Sequence, residues 1–418
     1  MTLKPIVASL FLLGLASSPA FAATQSNAGA QAQLDAMKDK IAKMEAVLQQ
    51  NQSGGFQQSN DWFNRITLSG ELNADGLLSN GSMITDSGHY SNDLNINNAN
   101  LYVDFVASNW TKGHVALAYQ HRAPAFSRVG YNGADKFGID EGYVTIGNFA
   151  KTPFFLMAGK QYINFGNYNR FPMVASLPQL LEETSGIAAR VGFVDASGFN
   201  ASASIFRGNV NDYNPTEYTG LTQHTRTNNF AVNVGFANQT DNMGYRVGAS
   251  YLRNMADVNY VSQTLTLDTM GNTDKVGAVN AYASLNSGPF DASVNYVTAL
   301  QKFNVTDIPY VENDQITGAK PSAWSVEAGY SFMTLGHQSR IGAGYEGSKQ
   351  ASFIGRGFTN NFVGGMPKSR YEANYTVNIS KYTDFGFQVN YDRDYKEANI
   401  GTARNTLTGI ARLAVKFA

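Results

Sequence analysis

Cysteine is absent from this chain of 418 residues, and charged residues make up only 15% of it. Without disulfides, a long secreted chain needs another means of holding itself together, and a closed hydrogen-bonded sheet provides one. The formal net charge of −1 leaves no excess of basic residues for a strongly basic face. Nucleic acid is therefore excluded as a partner, because its binding depends on such a face.

Long apolar runs are also scarce. The main one, Ile6–Leu15, follows Lys4 and precedes the Ala-Phe-Ala sequence of Ala20–Ala22. This layout is that of a secretory signal peptide, so we expect residues 1–22 to be cleaved before Ala23. A membrane-spanning helix is the alternative, but ten residues are too few to cross a bilayer.

Apolar side chains instead recur at every second position. The segments Asn229–Phe236 and Arg370–Ile379 both alternate apolar residues with polar, charged or glycine residues. Period two places the two sets on opposite faces of a strand. A soluble sandwich would bury the apolar set against a second sheet, whereas a membrane barrel turns it to lipid and turns the polar set to an aqueous interior.

Sixteen such segments follow one another between residue 65 and the C-terminus, and their connections alternate between short turns and long polar segments. Outer-membrane barrels show this asymmetry, with short periplasmic turns and long outer loops. We therefore predict an all-β fold, a 16-stranded antiparallel transmembrane β-barrel over residues 65–418. The long polar segments lie near residues 76–95, 123–138, 164–185, 208–225, 254–275, 302–321, 350–368 and 393–403.

Residues 23–52 have a different composition, rich in helix-forming residues. Apolar residues spaced 3-4-3-4 form a heptad seam there: Leu34, Met37, Ile41, Met44 and Leu48. The seam predicts a short periplasmic coiled-coil helix that joins protomers, with a homotrimer as the expected assembly. A solitary amphipathic helix on a surface is the alternative. Residues 53–64, which contain Ser53-Gly54-Gly55, are expected to be a flexible linker.

A barrel of sixteen strands encloses a water-filled lumen, and the period-two pattern selects the side chains that face it. Ion pairing for stability is the alternative role of the inward charges. A mixed lining predicts weak ion selectivity unless the charges are segregated. The candidate pore-lining residues are Arg65, Lys160, Arg190, Arg246, Arg340, Arg370, Arg412, Glu71, Asp104, Glu141, Glu327, Glu346 and Glu372.

The third long segment is the candidate constriction. It contains Pro172, Pro178 and the adjacent acids Glu182 and Glu183. If it folds into the barrel, these acids face inward arginines and the transverse field orients passing solutes. A surface loop with solvated acids is the alternative.

An enzyme is the competing class of function, because some outer-membrane barrels hydrolyse lipids or proteins. The five histidines, His89, His114, His121, His224 and His337, form no compact metal-binding motif. No catalytic residue, cofactor or metal site is therefore predicted. A structural protein that links the barrel to the cell wall is a third possibility, which the coiled coil permits.

The architecture as a whole resembles the siderophore porins of gammaproteobacterial outer membranes, and the segment Gly159–Gly166, Gly-Lys-Gln-Tyr-Ile-Asn-Phe-Gly, has the same character. The resemblance implies an outer-membrane channel for iron–siderophore uptake without an energised plug. The partners expected are outer-membrane lipid and either small solutes or a siderophore.

Overall fold

A computed structural model describes residues 65–80, 91–120, 136–167, 172–210, 227–240, 242–265, 275–355 and 365–417. The predicted signal peptide, coiled-coil helix and linker lie outside the described residues. The seam formed by Leu34, Met37, Ile41, Met44 and Leu48 therefore stays a prediction.

Sixteen antiparallel strands close into one barrel, as predicted. Each pairs with its neighbour in sequence, and the first strand pairs with the last, Gly70 lying opposite Phe417. The barrel strands are β1 (Ile66–Ser79), β2 (Ser91–Val106), β3 (Thr111–Gln120), β4 (Lys136–Gly147), β5 (Phe154–Tyr162), β6 (Ser185–Val194), β7 (Phe199–Arg207), β8 (Thr227–Gln239), β9 (Met243–Leu252), β10 (Ala278–Ser287), β11 (Phe290–Ala299), β14 (Ser322–Thr334), β15 (His337–Lys349), β16 (Ser369–Ser380), β17 (Thr383–Arg393) and β18 (Asn405–Phe417).

The apolar set of each strand lies on the outside of the barrel. On β16, Tyr371 is 45% exposed, whereas its neighbours Arg370 and Glu372 are 1% and 4% exposed. Leu68 on β1 and Ile187 on β6 are more than half exposed. An exposed apolar face around a closed ring is the arrangement of a barrel that lipid surrounds. Among the described residues, no helix is both long enough and apolar enough to cross a membrane.

Aromatic rings form two bands on this outer face, as expected at the two membrane interfaces. One band is at the short-turn end and includes Phe154 and Phe193, whose ring centroids are 5.2 Å apart. The other lies near the long loops, where Tyr345 stacks on Tyr371 at 4.6 Å. Two bands separated along the strands mark the span that lies in hydrocarbon.

The long segments contain structure that the period-two pattern does not predict. A hairpin of β12 (Pro309–Glu312) and β13 (Gln315–Gly318) occupies the sixth segment. Its turn residues, Asn313 and Asp314, both have positive φ, which a tight two-residue hairpin turn requires and which these residue types tolerate. Two short helices, α1 (Leu177–Leu180) and α2 (Asn259–Leu265), lie in the third and fifth segments.

Candidate functional site

The described parts of the third long segment, residues 163–167 and 172–184, lie in the interior of the barrel. The segment connects β5 with β6, and three of its hydrogen bonds join it to β15, β16 and β17. Around the ring of sixteen strands, β15 is the seventh strand counted from β6, and β16 is the seventh counted from β5 in the other direction. The loop therefore reaches the wall opposite its own base.

Three hydrogen bonds hold the loop to that wall. The backbone N–H of Leu177 donates to Glu346 Oε2 at 2.7 Å, and that of Met173 donates to Gln388 Oε1 at 2.6 Å. Arg370 donates from Nη1 to the carbonyl oxygen of Ala175 at 2.9 Å. Glu346, Arg370 and Gln388 are almost completely buried. The wall thus supplies donors and acceptors that match the free backbone groups of the loop.

The start of α1 explains why those groups are available. Ser176 is its N-cap and accepts a hydrogen bond from the backbone N–H of Gln179, while Pro178 occupies the first turn. The N–H of Leu177 is one of the groups that a helix leaves without an internal partner. Glu346 satisfies it from the barrel wall.

The two acids of the loop meet amide groups. Asn280 on β10 and Asn295 on β11 both donate to the fully buried carboxylate of Glu182. Glu183 accepts from Gln179 within the loop, at 2.6 Å. Glu182 therefore binds the loop to a second part of the wall, whereas the hydrogen bond that Gln179 donates to Glu183 is internal to the loop.

Gly166 permits the close approach of the two ends of the loop. Its φ is +98°, which disfavours any residue with a side chain, and a Cβ there would collide with the carboxylate of Glu182. Its N–H donates to the hydroxyl of Ser250 on β9, at 3.1 Å. The loop is thus fixed at its base as well as at its far end.

A second layer of loops packs against the third one and forms an apolar core inside the barrel. Asn259 at the start of α2 donates its N–H to the carbonyl of Glu183, and Gly355 donates to Thr264. Burial raises the pKa of Tyr260 to about 12, so its hydroxyl stays protonated at neutral pH. Completely buried loop members of the core include Leu177, Leu181, Met255, Val258, Val261, Ile308 and Ile354.

The barrel wall beneath this core is also apolar, although it faces the interior. The inward residues that contact the core are apolar, and they belong to consecutive barrel strands from β7 to β14: Phe206, Ala231, Leu252, Ala278, Val297 and Ala323. The loop core therefore packs directly against the wall on the side of these strands.

The opposite side of the interior is polar. Asn98 and Asn100 on β2 donate to Glu71 on β1, at 2.7 and 3.1 Å. Arg412 on β18 forms a bidentate ion pair with Asp75 on β1, with both nitrogen–oxygen distances 2.7 Å. These residues line β1, β2 and β18, so the candidate lining residues Glu71 and Arg412 lie together.

A smaller group of charges lies near the short-turn end of β2, β3 and β4. His114 Nδ1 is 2.7 Å from Asp104 Oδ1, and its Nε2 is 4.0 Å from Glu141 Oε2. The imidazole stacks on Tyr143, with ring centroids 5.0 Å apart. The candidates Asp104 and Glu141 are thus brought together around a histidine that the sequence pattern did not assign to the lining.

The remaining arginine candidates differ in their partners. Arg340 forms a bidentate pair with Asp291 and also donates to Asn374. Arg190 donates to Ser204 and to the carbonyl of Tyr162. Arg246 is half-buried and has no hydrogen-bond or ion-pair partner in the part of the chain that the structure describes. Arg65 is exposed at the start of β1 and contacts the carbonyl of Ala107.

Lys160 differs from its predicted position, because it lies on the outer face. It is paired with Ile187 across the β5–β6 ladder, and paired residues point to the same side of a sheet. Ile187 is 62% exposed among the outward residues. The ammonium of Lys160 donates to the carbonyl of Ile139 at 2.6 Å. A lysine near a strand end is tolerated there because its long side chain reaches the membrane interface.

Glu327, Glu346 and Glu372 converge on the inner face of β14, β15 and β16. Their carboxylate oxygens lie within 4.8 Å of one another, and among the described residues they form the group with a spacing suited to a metal ion. Gly344 makes the convergence possible, because Glu327 and Glu372 both pair with it and a Cβ there would meet the Glu372 side chain. The N–H of Leu177 and the amide of Gln388 donate to two of the three carboxylates.

Sequence reasoning missed three amides and one acid of the site. Asn280, Asn295, Gln388 and Asp291 all hold the loop or an arginine, yet none was among the charged residues selected. All four occupy inward positions of the same alternating pattern. The period-two pattern therefore places all four on the inner face, and counting every inward amide and acid as a candidate would have included them.

Solved structures with the same fold are outer-membrane channels. OprB of Pseudomonas putida superimposes with a TM-score of 0.56 at 10% identity, covering 84% of this chain and 94% of that one. An anion-selective porin of Comamonas acidovorans gives 0.53 at 10% identity, with 84% and 99% covered. OmpF of Salmonella typhi gives 0.52 at 12% identity, with 87% and 100% covered. Identities this low show the fold alone.

No protein-family model matches the chain. A UPF0422 protein of Coxiella burnetii is 30% identical over 347 residues, which are 82% of this chain and 67% of that protein. UPF0422 protein lpg2959 of Legionella pneumophila is 24% identical over 343 residues, 79% of this chain and 59% of that protein. The chain thus spans about two thirds of the first relative and less of the second. At 30% identity across 82% of its length, the chain belongs to the UPF0422 family, and its barrel has the porin fold.

Proposed function

We propose that this protein is a passive channel of the bacterial outer membrane, through which small solutes diffuse. The observation that carries the proposal is the third loop, which crosses the interior of a sixteen-stranded barrel and binds the opposite wall. A barrel of this size encloses an aqueous channel unless something fills it, and a loop held across the interior sets its width.

The water path is proposed to follow the polar side of the interior. The strands from β7 to β14 carry the apolar core, which excludes water, whereas β1, β2 and β18 carry Glu71, Asp75 and Arg412. The third loop separates these two sides. Such a channel is narrower than its strand number suggests and is lined by charges of both signs.

Small polar solutes are the proposed cargo, with iron–siderophore complexes as the finer hypothesis from the resemblance. Liposomes that contain the purified protein are expected to swell in small sugars, at a rate that falls as the sugar becomes larger. A labelled ferric siderophore added outside is expected to enter the same liposomes. Swelling without siderophore entry contradicts the finer hypothesis alone, while the absence of swelling contradicts the channel and favours a structural role.

A homotrimer joined by the N-terminal helix is also proposed. Chemical crosslinking in detergent is expected to trap three copies of the full chain, and deletion of residues 23–52 is expected to weaken the trimer. Crosslinking that yields monomers alone contradicts the proposed assembly.

The Asp75–Arg412 pair provides a test of the water path. Replacement of Arg412 by Gln leaves the Asp75 carboxylate without its counter-charge, so the cation-to-anion permeability ratio is expected to rise by about twofold or more. The zero-current potential of planar bilayers in a KCl gradient measures this ratio.

Lys416→Gln is the matched control for Arg412→Gln. Lys416 also pairs with an aspartate, Asp384, but its side chain is 57% exposed at the short-turn end. Water screens the exposed pair, so the control is expected to change the potential little. An Arg412→Gln channel with unaltered selectivity contradicts a path along this wall.

A further inference from the structure

The outer face of the barrel has two basic side chains directly above its aromatic band. Lys349 ends β15 and Arg393 ends β17, both at the long-loop end and both exposed. Neither the ammonium of Lys349 nor the guanidinium of Arg393 has a hydrogen-bond or ion-pair partner among the described residues. Two cations without counter-charges at a membrane interface attract anionic headgroups.

The ladder register places the two basic residues at the edges of one patch of the outer face. Gly347 on β15, Ser369 on β16 and Arg393 on β17 lie at the same level, and Lys349 is two residues further along β15. Gly347 and Arg393 are two strand spacings apart, about 10 Å, and the two further residues along β15 place the backbone of Lys349 about 12 Å from that of Arg393. The residues between them, Gly347 and Ser369, are small. The two long side chains therefore flank a patch of the outer face with a floor of small residues, and the Trp324 ring covers its Gly347 end.

Four aromatic rings border this patch: Trp324 lies at the level of Gly347, and Tyr345, Tyr371 and Tyr391 lie on the membrane side. Trp324 lies 4.9 Å from Tyr345, Tyr345 lies 4.6 Å from Tyr371, and Tyr371 lies 6.4 Å from Tyr391, all between ring centroids. Gly347 lets Trp324 lie close against the sheet, because a Cβ there would be 2.7 Å from the indole ring. Rings at this depth provide a rigid amphipathic surface between headgroups and acyl chains.

We propose that this patch, formed by Lys349, Arg393 and the ring row of Trp324, Tyr345, Tyr371 and Tyr391, binds the phosphorylated glycolipid of the outer leaflet. The proposal rests on the outer-membrane placement in the proposed function, which directs the long loops outward. Lipid A carries a phosphate at each end of a disaccharide. The two cations suit the phosphates, the ring row suits the sugar faces, and the apolar outer face below suits the acyl chains.

A titration with diphosphoryl lipid A, followed by native mass spectrometry of the detergent-solubilised full chain, tests the site. Phosphate-free lipid A is expected to bind at least tenfold more weakly than the diphosphoryl form. The double variant Lys349→Gln/Arg393→Gln is expected to lose roughly 30-fold in affinity for the diphosphoryl form and to bind the phosphate-free form as the parent does. Inorganic phosphate at the same concentration is expected not to compete.

Lys381→Gln is the matched control, because Lys381 is an exposed lysine 4.9 Å from the Tyr382 ring at the opposite end of the barrel. The affinity of the Lys381→Gln variant for diphosphoryl lipid A is expected to match that of the parent protein. The proposal is overturned if the protein binds the two lipid forms equally, or if Lys381→Gln loses as much affinity as the double variant. Burial of Lys349 in a contact with a second copy of the chain also overturns it.

Conductance of the same preparation separates this proposal from the channel function. If the protein forms conducting channels but binds the two lipid forms equally, only the glycolipid site is contradicted. If the protein binds diphosphoryl lipid A selectively but conducts no current, only the channel function is contradicted.

Discussion

Replacement of Glu182 by Ala is expected to raise single-channel conductance in planar bilayers by about twofold or more, because the third loop loses its hold on β10 and β11. The carboxylate accepts hydrogen bonds from Asn280 and Asn295 in a fully buried position. Glu182→Ala removes the acceptor of the buried Asn295 amide, while the Asn280 amide keeps Asn295 Oδ1 and the Tyr296 carbonyl. A buried donor without an acceptor costs about 1–3 kcal/mol, and 1.4 kcal/mol shifts an equilibrium tenfold. The loss of this contact therefore increases the fraction of channels in which the third loop is released from the wall.

Glu183→Ala is the matched control, since it removes the same charge from the adjacent position. Its contact with Gln179 lies within the loop, so conductance is expected to stay near that of the parent channel. Addition of Glu346→Ala to Glu182→Ala also removes the acceptor for Leu177 and is expected to widen the channel further. Equal conductance changes in Glu182→Ala and Glu183→Ala would show that charge, rather than loop seating, controls the current.

Strand number and barrel closure follow from local signals that the sequence contains. Alternation along a strand such as β16 places Tyr371 and Arg370 on opposite faces whatever the rest of the chain does. The alternation of short turns and long loops is also visible in the sequence, because the residues of each connection show where one strand ends and the next begins. The sixteen barrel strands and their closure were therefore predictable from the sequence.

The path of the third loop depends on contacts that no local pattern encodes. Arg370 meets the carbonyl of Ala175 across 195 residues of sequence, and Gln388 meets the N–H of Met173 across 215. Pro178 and the two acids mark the loop as unusual, but they do not indicate which wall it reaches. The apolar core formed with α2 was unpredictable for the same reason, since its members come from separate loops.

Lys160 shows how the period-two pattern can assign a side chain to the wrong face of a strand. The even positions of β5 before it, Phe154, Leu156 and Ala158, all point outward, and the alternation itself places Lys160 with them. The inward prediction from the period-two pattern therefore assigned the two faces of β5 the wrong way round at this residue. A lysine is tolerated on the outer face here, because its side chain extends to the headgroups and a charge costs less near the interface.

Replacement of Arg370 by Met is expected to destabilise the barrel by about 3–5 kcal/mol, because it leaves a buried carboxylate without its counter-charge. Arg370 and Asp392 form a bidentate pair whose side chains are 1% and 5% exposed. The double variant Arg370→Met/Asp392→Leu is expected to recover most of the loss, since no charge of this pair then remains buried. Urea titration followed by tryptophan fluorescence measures the three unfolding free energies.

Arg412→Met provides the comparison at a less buried site. It breaks a bidentate pair of the same type with Asp75, but the arginine is 16% exposed. Water reaches this pair more easily, so the loss is expected to be smaller than at Arg370. Equal losses at the two sites would mean that burial does not determine the cost, and failure of the double variant to recover would assign the loss to the Ala175 contact instead. In that case the same residue that stabilises the wall also fixes the loop, and Arg370→Met channels are expected to show the raised conductance of Glu182→Ala.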